Sequence, residues 1–589
     1  MYTELKEYQI IIALLKEYGI RHCVLSAGSR NVPFVHSVEE DTYFHCYSVV
    51  DERSAGYFAL GLAQELNEPV VISCTSSTAT CNYWPPVAEA FYQGVPIVVL
   101  TSDRDPAMLG QWEDQMIDQV GMYDRHVRKS VNLPIINSRS DEIYCQRLIN
   151  EALAELNHHG TGPVHINIPM RAYNNSFYVK DLPKVTRIEH LEANEDELIW
   201  KNKIEKLKNA QRILVTCGQN RSVSQELQNS IKSFFEQYNV AIVLDYMANI
   251  ALDEGINTTA CMDSRYVTYK KVKELLPDIV ISFGGNIFSG IKEQLQKFPG
   301  EFEHWLIQED GRIVDLYKNI TTVFECKPEY FFSCCCQHSD GIKNNRIYYG
   351  QFREYADSLK MQEFEWSHVY AIKEVVEKIP SHSILHLSIN DSIRITNFFK
   401  LRSEIKTYAN IGTHGIDGCL SSFLGQAAAS DKPSYLIIGD LAFFYDMNAI
   451  RLRHIGKNVH ILLVNNQGGS EFYFNHMWKN QASDLHTTAR HHTQAEGWVK
   501  SNNFIYLSAY DKASMQESIS EFMRNDLDAP VFLEVFTEMK HDAEVIYHYF
   551  DLSRPRDIQS ESIRKSKELI KATIGQEKAK KLAGILKKK

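Results

Sequence analysis

Short apolar runs alternate along this chain with longer amphipathic stretches. The runs are apolar throughout and end in Gly, Ser, Asn or Asp, which is typical of parallel strands buried on both faces. Twelve such runs form three sets of four, at 22–29, 69–77, 96–104 and 163–170, then at 212–218, 241–247, 278–285 and 303–310, and finally at 383–390, 433–440, 459–466 and 530–539. The helical segments between them predict an α/β protein with ligand-binding loops at the carboxyl ends of its strands.

The three sets of strands predict three doubly wound parallel-sheet domains. One boundary is expected in the charged stretch 184–198 and the other in the polar stretch 337–346. The predicted domains are therefore 1–183, 199–336 and 347–560, followed by a basic tail over 561–589. For the tail we expect a mobile helix, which either remains a solvated end or contacts an anionic membrane surface.

Composition narrows the class of protein. The 589 residues are 44% hydrophobic and 23% charged, as in ordinary globular proteins, and they contain no run of 18 apolar residues. The net charge is −11; the tail carries ten Lys and Arg against three Glu, so the residues before it sum to −18. An acidic body disfavours nucleic-acid binding. The twelve cysteines lack metal-ligand or disulfide spacing, so we expect reduced thiols in a cytoplasmic protein.

Candidate chemistry appears in the third set of strands. The run 433–440 ends in a Gly-Asp pair and the run 459–466 in an Asn-Asn pair, which places Asn466 26 residues after Asp440. A connecting helix over about 444–454 would bring both side chains to neighbouring strand ends. Each pair could be an ordinary turn, but a carboxylate and an amide oxygen side by side suit Mg²⁺, which completes its shell with phosphate and water.

This spacing, followed by a Gly-Gly pair, resembles the diphosphate motif of thiamine-diphosphate enzymes. The resemblance implies that Asp440, Asn466 and the backbone carbonyl of Gly468 hold Mg²⁺, which bridges the two phosphates of the cofactor. The exposed amides after Gly439 and at the start of the next helix would contribute as well.

In the first set of strands, Glu52 precedes a helix rich in small residues. Taken alone, it is a carboxylate favoured at a helix N-terminus. The resemblance implies a sharper role, in which this glutamate bonds to nitrogen N1′ of thiamine and drives the proton transfer that lets the cofactor attack a 2-oxo acid. In that superfamily the glutamate and the metal motif of one site come from different subunits. The resemblance therefore implies a homodimer or homotetramer.

Seven further segments match one family in kind and order. They are 27–33, 58–63, 75–82, 101–106, 114–123, 415–421 and 439–450. Over roughly residues 5–540 the chain resembles the menaquinone-pathway SEPHCHC synthases, the MenD family, which join a succinyl-semialdehyde carbanion made from 2-oxoglutarate to isochorismate. The resemblance implies a pyruvate decarboxylase-like fold, with a pyrimidine-binding first domain, a central α/β domain and a diphosphate-binding third domain.

The resemblance also implies a set of binding residues. The cofactor-binding positions are Glu52, Asn82, Ile416, Gly439, Asp440, Leu441, Asn466, Gly468 and Phe472, where Ile416 is the bulky apolar residue that holds the cofactor bent. Ser29, Arg30, Arg104 and Gln115 match the positions that hold the carboxylates of the acceptor, which suit the planar fork of arginine. Lys292 remains where the family has a Lys-Arg pair.

On the donor side the chain departs from the family. Arg394 matches the first of two arginines that hold the distal carboxylate of 2-oxoglutarate. In the segment 410–418, Ile411 replaces the second arginine and His414 replaces a serine, and Glu471 stands where the family usually has an uncharged residue. An apolar side chain cannot offset the desolvation of a carboxylate. We therefore expect a donor other than 2-oxoglutarate, with pyruvate the simplest candidate.

Three hypotheses remain open at this stage. The chain is a SEPHCHC synthase with a divergent donor pocket, or a paralogous carboligase or decarboxylase of surface-polysaccharide or secondary metabolism, or a non-catalytic protein with the same fold. The joint presence of Glu52, Asp440 and Asn466 argues against the third hypothesis.

Overall fold

The computed structural model describes residues 1–171, 176–187, 197–263, 267–312, 314–339, 341, 343–359, 361–474 and 483–552. These residues form three parallel sheets covered by helices. The predicted α/β class with three parallel sheets is thereby confirmed. The tail over 561–589 lies outside the described residues, as does much of the stretch 184–198, so both remain predictions. No described helix is long and apolar enough to cross a membrane.

In its described residues the first unit contains eight strands, six α-helices and a 3-10 helix over Pro106–Met108. The strands are β1 (Tyr2–Thr3), β2 (His22–Leu25), β3 (His45–Ser48), β4 (Val70–Cys74), β5 (Ile97–Asp103), β6 (Lys129–Asn132), β7 (Val164–Pro169) and β8 (Phe177–Val179). The helices are α1 (Lys6–Glu17), α2 (Val32–Glu39), α3 (Glu52–Leu66), α4 (Thr78–Asn82), α5 (Trp84–Gln93) and α6 (Arg139–Ala154). Six strands form a parallel sheet in the order β3-β2-β4-β5-β7-β6, while β1 pairs with β8.

The central unit is built on a five-stranded parallel sheet. Its strands are β9 (Ile213–Cys217), β10 (Val240–Leu244), β11 (Ile279–Phe283), β12 (Glu303–Ile307) and β13 (Ile320–Phe324), in the order β10-β9-β11-β12-β13. Its helices are α7 (Glu197–Asn209), α8 (Gln225–Gln237), α9 (Thr259–Asp263), α10 (Tyr269–Glu274), α11 (Ile291–Leu295) and α12 (Pro328–Gln337). The next helix, α13 (Ile347–Ala356), buries Tyr348 and Phe352 in the core of this unit, although it follows the predicted boundary at 337–346. The domain limits themselves remain predictions.

The third unit is built on a six-stranded parallel sheet. Its strands are β14 (Ile384–Leu387), β15 (Lys406–Tyr408), β16 (Ser434–Gly439), β17 (Val459–Asn465), β18 (Ile505–Ala509) and β19 (Val531–Phe536), in the order β15-β14-β16-β17-β19-β18. Its helices are α14 (His368–Val376), α15 (Asp391–Thr396), α16 (Cys419–Ala428), α17 (Asp440–Tyr445), α18 (Ser470–Phe474), α19 (Glu496–Ser501), α20 (Lys512–Phe522) and α21 (Met539–Leu552).

The connection between β16 and β17 corrects the helix predicted over 444–454. The α-helix α17 begins four residues earlier, at Asp440, and a short 3-10 helix follows over Met447–Arg451. Asp446, between the two, is fully buried and accepts hydrogen bonds from the amide and the hydroxyl of Ser421, both at 2.8 Å. At Asp446 the backbone leaves the α-helix, with a φ of −112° and a ψ of 15°.

Two glycines let the first and third units pack closely through α3 and α16. A Cβ atom on Gly61 would lie 1.9 Å from the carbonyl oxygen of Ser422, and one on Gly425 would lie 2.1 Å from that of Phe58. The two helices share one apolar core. Helix α3, which begins at Glu52, is therefore fixed against the unit that carries Asp440.

Candidate active site

Asp440 and Asn466 lie at the ends of neighbouring strands. Gly439 is opposite Val464 in the β16–β17 pairing, so the two residues follow adjacent strand ends. Both side chains are buried, with 2% and 7% of their surface exposed. The loop after β17 folds back onto the carboxylate, because the amide of Gly468 donates to Asp440 Oδ2 at 2.9 Å.

Gly468 is at a position where only glycine fits. Its φ is +149°, and a Cβ atom would lie 2.7 Å from the carbonyl oxygen of Thr488 and 2.8 Å from the sulfur of Met539. The structure shows its amide bonded to Asp440, while the ligand role predicted for its carbonyl remains a prediction. The amide of Leu441 donates to the other carboxylate oxygen of Asp440 at 2.6 Å.

The side chain of Asn466 is oriented by Asp542, which the sequence did not point to. Asn466 Nδ2 donates to Asp542 Oδ2 at 3.2 Å, and Thr537 Oγ1 donates to the same oxygen at 2.6 Å. Asp542 is fully buried, and its Oδ1 accepts the amide of His368 at 2.9 Å. With the amide nitrogen committed to Asp542, the oxygen of Asn466 is left for a cation.

These groups fit Mg²⁺ and a diphosphate. The described residues contain no group of three or more His, Cys, Asp or Glu side chains that could hold a metal. A cation at this edge would therefore depend on one carboxylate, one amide oxygen, backbone oxygen, phosphate and water, which is the coordination Mg²⁺ favours.

Glu52 and Asn82 line one cleft of about 530 Å³. Glu52 is the first residue of α3, and the preceding Asp51 caps the helix by accepting the amide of Ser54 at 3.1 Å. The opposite wall of the cleft comes from the third unit, through Arg451 and its neighbours. Two of the predicted cofactor-binding residues are thus brought together.

Within one chain, the two residues that follow Glu52 contact the end of α17 opposite to Asp440. Arg53 donates to the carbonyl of Tyr445 at 3.1 Å, and Ser54 donates to Asp446 at 3.1 Å. Asp440 begins the helix that Tyr445 ends. Five helical steps span about 7.5 Å, so the start of α3 is fixed at the end of α17 opposite to the loop 466–469, where the Mg²⁺ site is predicted and which we call the metal loop.

A second cleft, of about 370 Å³, lies between the central and third units. Three of the predicted substrate-binding residues, Lys292, Arg394 and His414, line it together with Asp263 and Glu293. Partial desolvation and the neighbouring Lys292 both lower the pKa of His414, whose side chain is exposed to solvent. We refer to this cleft as the donor cleft.

Arg394 is already bound by carboxylates of its own chain. Its guanidinium donates to both oxygens of Glu471, at 2.6 Å and 3.2 Å, and to Asp391 at 2.6 Å. Asp263 lies 3.7 Å from its Nε. Burial alone would lower the pKa of Arg394, but Glu471 and Asp391 raise it, so the arginine stays charged.

The segment 410–418 is held by Glu89 of the first unit. This fully buried carboxylate accepts the amides of Gly412, at 2.9 Å, and Thr413, at 2.6 Å. Ile411 is fully buried in the apolar core of the third unit. A guanidinium at that position would have to be buried as well, and the segment offers His414 to the donor cleft instead.

The predicted acceptor-binding residues lie at the carboxyl edge of the first sheet. Ser29 and Arg30 follow β2, Arg104 follows β5, and Gln115 lies in the loop before β6. The side chain of Gln115 donates to the carbonyl of Ser76 at 3.4 Å, and Arg104 pairs with the carboxylate of Glu113. This group is built on the first unit, whereas the donor cleft is built on the other two.

The remaining predicted cofactor residues lie around these sites. Gly439 ends β16, and Ile416 packs, half-buried, against the core shared by the first and third units. Phe472 lies in α18, with its ring beside Gly469.

Sequence reasoning missed Asp542, Glu89 and His368. Burial alone would lower the pKa of His368, but the carboxylates of Asp542 and Asp391 raise it to about 10. Each of these residues acts on a partner far away along the chain, so no local motif marks them. Glu89 alone carries a sequence signal, because it is the one charged residue of α5.

The family model and the known proteins that are similar to this chain agree with each other. Residues 6–122 match the family model of the thiamine pyrophosphate enzyme N-terminal TPP binding domain. The 2-succinyl-5-enolpyruvyl-6-hydroxy-3-cyclohexene-1-carboxylate synthase of Bacteroides thetaiotaomicron is 36% identical over 559 residues, 93% of this chain and 99% of that protein. The protein of the same name from Flavobacterium johnsoniae is 31% identical over 570 residues, with the same coverage.

A solved structure supports the fold alone. Benzoylformate decarboxylase from Polynucleobacter necessarius superimposes with a TM-score of 0.68 at 13% sequence identity, covering 92% of this chain and 99% of that one. The predicted fold type of the thiamine-diphosphate enzymes is confirmed.

Proposed function

The chain belongs to the family of 2-succinyl-5-enolpyruvyl-6-hydroxy-3-cyclohexene-1-carboxylate synthases, and from this premise we propose that it decarboxylates a 2-oxo acid and joins the remaining fragment to an anionic acceptor. Family membership confirms the predicted enzyme class, a transferase that depends on thiamine diphosphate. The identity of the donor and the roles of single residues are our proposals.

The observation that carries the proposal is the buried loop around Asp440. A carboxylate and an oriented amide side by side at adjacent strand ends, closed by a glycine that tolerates no side chain, form a cradle for Mg²⁺ and a diphosphate. We propose Asp440, Asn466 and the carbonyl of Gly468 as the metal ligands.

The chemistry divides between the cofactor and the protein. When bound, thiamine diphosphate supplies the attacking carbon and takes up the electrons released with CO₂. Glu52 holds and moves a proton at the pyrimidine nitrogen N1′. Arg30 and Arg104 orient the carboxylates of the acceptor through their planar guanidinium groups.

We also propose that two copies of the chain share each site. The start of α3 is fixed through Arg53 and Ser54 at the end of α17 opposite to Asp440, and the resemblance to the thiamine-diphosphate enzymes implies that a second copy supplies the glutamate of each site. Large apolar side chains are exposed near Glu52 and in the acceptor loop, notably Val50, Trp112 at 98% and Val120, which favours an interface there. The twelve cysteines, all within the described part of the chain, are free thiols, which supports a cytoplasmic location.

The test is product analysis with purified protein, thiamine diphosphate and Mg²⁺. A panel of 2-oxo acids is offered with isochorismate as acceptor, and CO₂ and the coupled product are measured. We expect CO₂ release and one coupled product. Absence of CO₂ release from every acid would contradict the proposal, and release without coupling to isochorismate would favour the paralogous enzyme with another acceptor.

A further inference from the structure

Arg394 is the most completely neutralised cation of the donor cleft. Only 8% of its surface is exposed, and its guanidinium forms two parallel hydrogen bonds with Glu471. This bidentate geometry is the one that arginine uses to bind the carboxylate of a ligand. Here the carboxylate belongs to the protein itself.

The pair lies next to the metal loop. Glu471 is the second residue of α18, three residues after Gly468. The hydroxyl of Ser470 donates to Asp391 at 2.7 Å, and Asp391 in turn accepts from Arg394. Since β14, which precedes α15, pairs with β16, the pair lies at the same sheet edge as Asp440.

The rest of the cleft offers little charge for a second substrate carboxylate. The ammonium group of Lys292 is 3.8 Å from Glu293, and Asp263 faces Arg394 from α9. Partial desolvation and the neighbouring Lys292 lower the pKa of the exposed His414, so its imidazole adds little positive charge near pH 7. A second carboxylate would have to displace Glu471 or be buried beside it, and like charges that are held close together repel each other.

We propose that Glu471 occupies the place of a substrate's distal carboxylate, so that the donor is a short 2-oxo acid with an uncharged side chain, such as pyruvate. This inference rests on the proposed function of the same site. On this inference the donor preference is caused by Glu471. It is not caused by the isoleucine at position 411, because the Ile411 side chain lies in the core.

The experiment compares donors in the holoenzyme and in Glu471→Gln. The wild-type protein should release CO₂ from pyruvate with a higher kcat/KM than from 2-oxoglutarate. Glu471→Gln keeps the size of the side chain but frees the charge of Arg394, so the ratio should shift toward 2-oxoglutarate by about 30-fold or more, the effect of breaking a buried charge pair.

The matched control is Glu293→Gln. It removes one negative charge from the same cleft, but the side chain of Glu293 is 59% exposed and faces Lys292 rather than Arg394. Its charge is screened by solvent, so the donor ratio should change by less than about threefold. An equal shift in both variants would mean that net charge, not the pair, selects the donor, and would overturn the proposal.

A second measurement does not depend on turnover. Glutarate, a dicarboxylate without a reactive keto group, should raise the melting temperature of Glu471→Gln and leave the wild-type value unchanged. Wild-type stabilisation by glutarate together with a preference for 2-oxoglutarate would show that Glu471 swings aside, and would overturn the inference while the proposed function stands. Absence of CO₂ release from any acid would contradict the proposed function instead, and the glutarate comparison would still decide whether Glu471 blocks Arg394.

Discussion

The metal loop and the donor cleft lie at the same sheet edge, yet they relate to the family in opposite ways. Around Asp440 and Asn466 the residues implied by the family are all present, and the structure places them side by side. Three residues beyond Gly468, Glu471 binds Arg394, which the resemblance predicts as a substrate-binding residue. The boundary between the two regions is therefore sharp.

The difference has a physical origin. The metal loop is built from strand ends, backbone amides and a glycine that admits no Cβ atom, so a side chain at Gly468 would displace the backbone that bonds to Asp440. The donor cleft is lined by residues that come from four separate segments. These can be exchanged without moving the backbone, which lets specificity diverge while cofactor binding is retained.

The largest effect is expected from Asp440→Ala. It removes the buried carboxylate that we propose as a metal ligand, so affinity for thiamine diphosphate with Mg²⁺ should fall by more than about 100-fold, beyond the loss typical of a residue that only supports a ligand. Isothermal calorimetry measures this affinity. Glu471→Gln serves as the control, because a change in the donor cleft should leave cofactor affinity unaltered; unchanged binding in Asp440→Ala would remove Asp440 from the metal site.

Glu52→Gln should separate binding from catalysis. Glutamine can still bond to the pyrimidine nitrogen, so cofactor affinity should persist, while kcat should fall on the order of 10²-fold because the amide cannot exchange a proton. Calorimetry and steady-state CO₂ release test the two halves of this expectation. Turnover at the wild-type rate would leave Glu52 as no more than a helix-end residue.

Asp542→Asn tests how far the metal loop depends on a residue that does not touch the metal. The amide of Asn466 would lose its charged acceptor and could turn, so the Mg²⁺ affinity should fall about 10- to 100-fold. The Mg²⁺ affinity is measured by titrating Mg²⁺ and using cofactor binding as the readout. Circular dichroism shows whether the variant is folded. If cofactor binding by the folded variant depends on Mg²⁺ concentration as in the wild type, Asp542 does not position Asn466.

The smallest effect concerns His368, which joins the two regions. Its ring faces Asp542 on the metal side and Asp391 on the donor side, and these carboxylates raise its pKa to about 10 against the lowering effect of burial. A raised pKa stabilises the fold fully below the unfolded value near 6.5, and this stabilisation is lost as the pH rises through about 10.

The measurement is the melting temperature between pH 6.5 and 10. The wild-type value should fall over this range by about 2 °C or more relative to His368→Gln, which lacks the titrating group. Parallel curves for the two proteins would mean that His368 is neutral in the native state. In that case the charge link between the two regions would not exist.

Much of the fold follows from the sequence alone. All twelve apolar runs form strands, because a strand buried on both faces must be apolar at every position. The missed members of the three main sheets, β3, β6, β13, β15 and β18, lie at sheet edges and are less completely buried. The edge strand β10 was found, since all five of its residues are buried. Burial, rather than position in the sheet, makes a strand visible in a sequence.

The same logic separates the two regions of the site. Asp440 and Asn466 could be paired from spacing, because consecutive parallel strands end at one edge and their order along the chain predicts neighbours. Three other contacts could not be predicted from spacing, because each joins residues 76 or more positions apart. They are those of Glu471 with Arg394, of Asp542 with Asn466 and of Glu89 with the segment 410–418. Only the tertiary structure decides such contacts, because they depend on which side chains the packing of whole units turns toward one another.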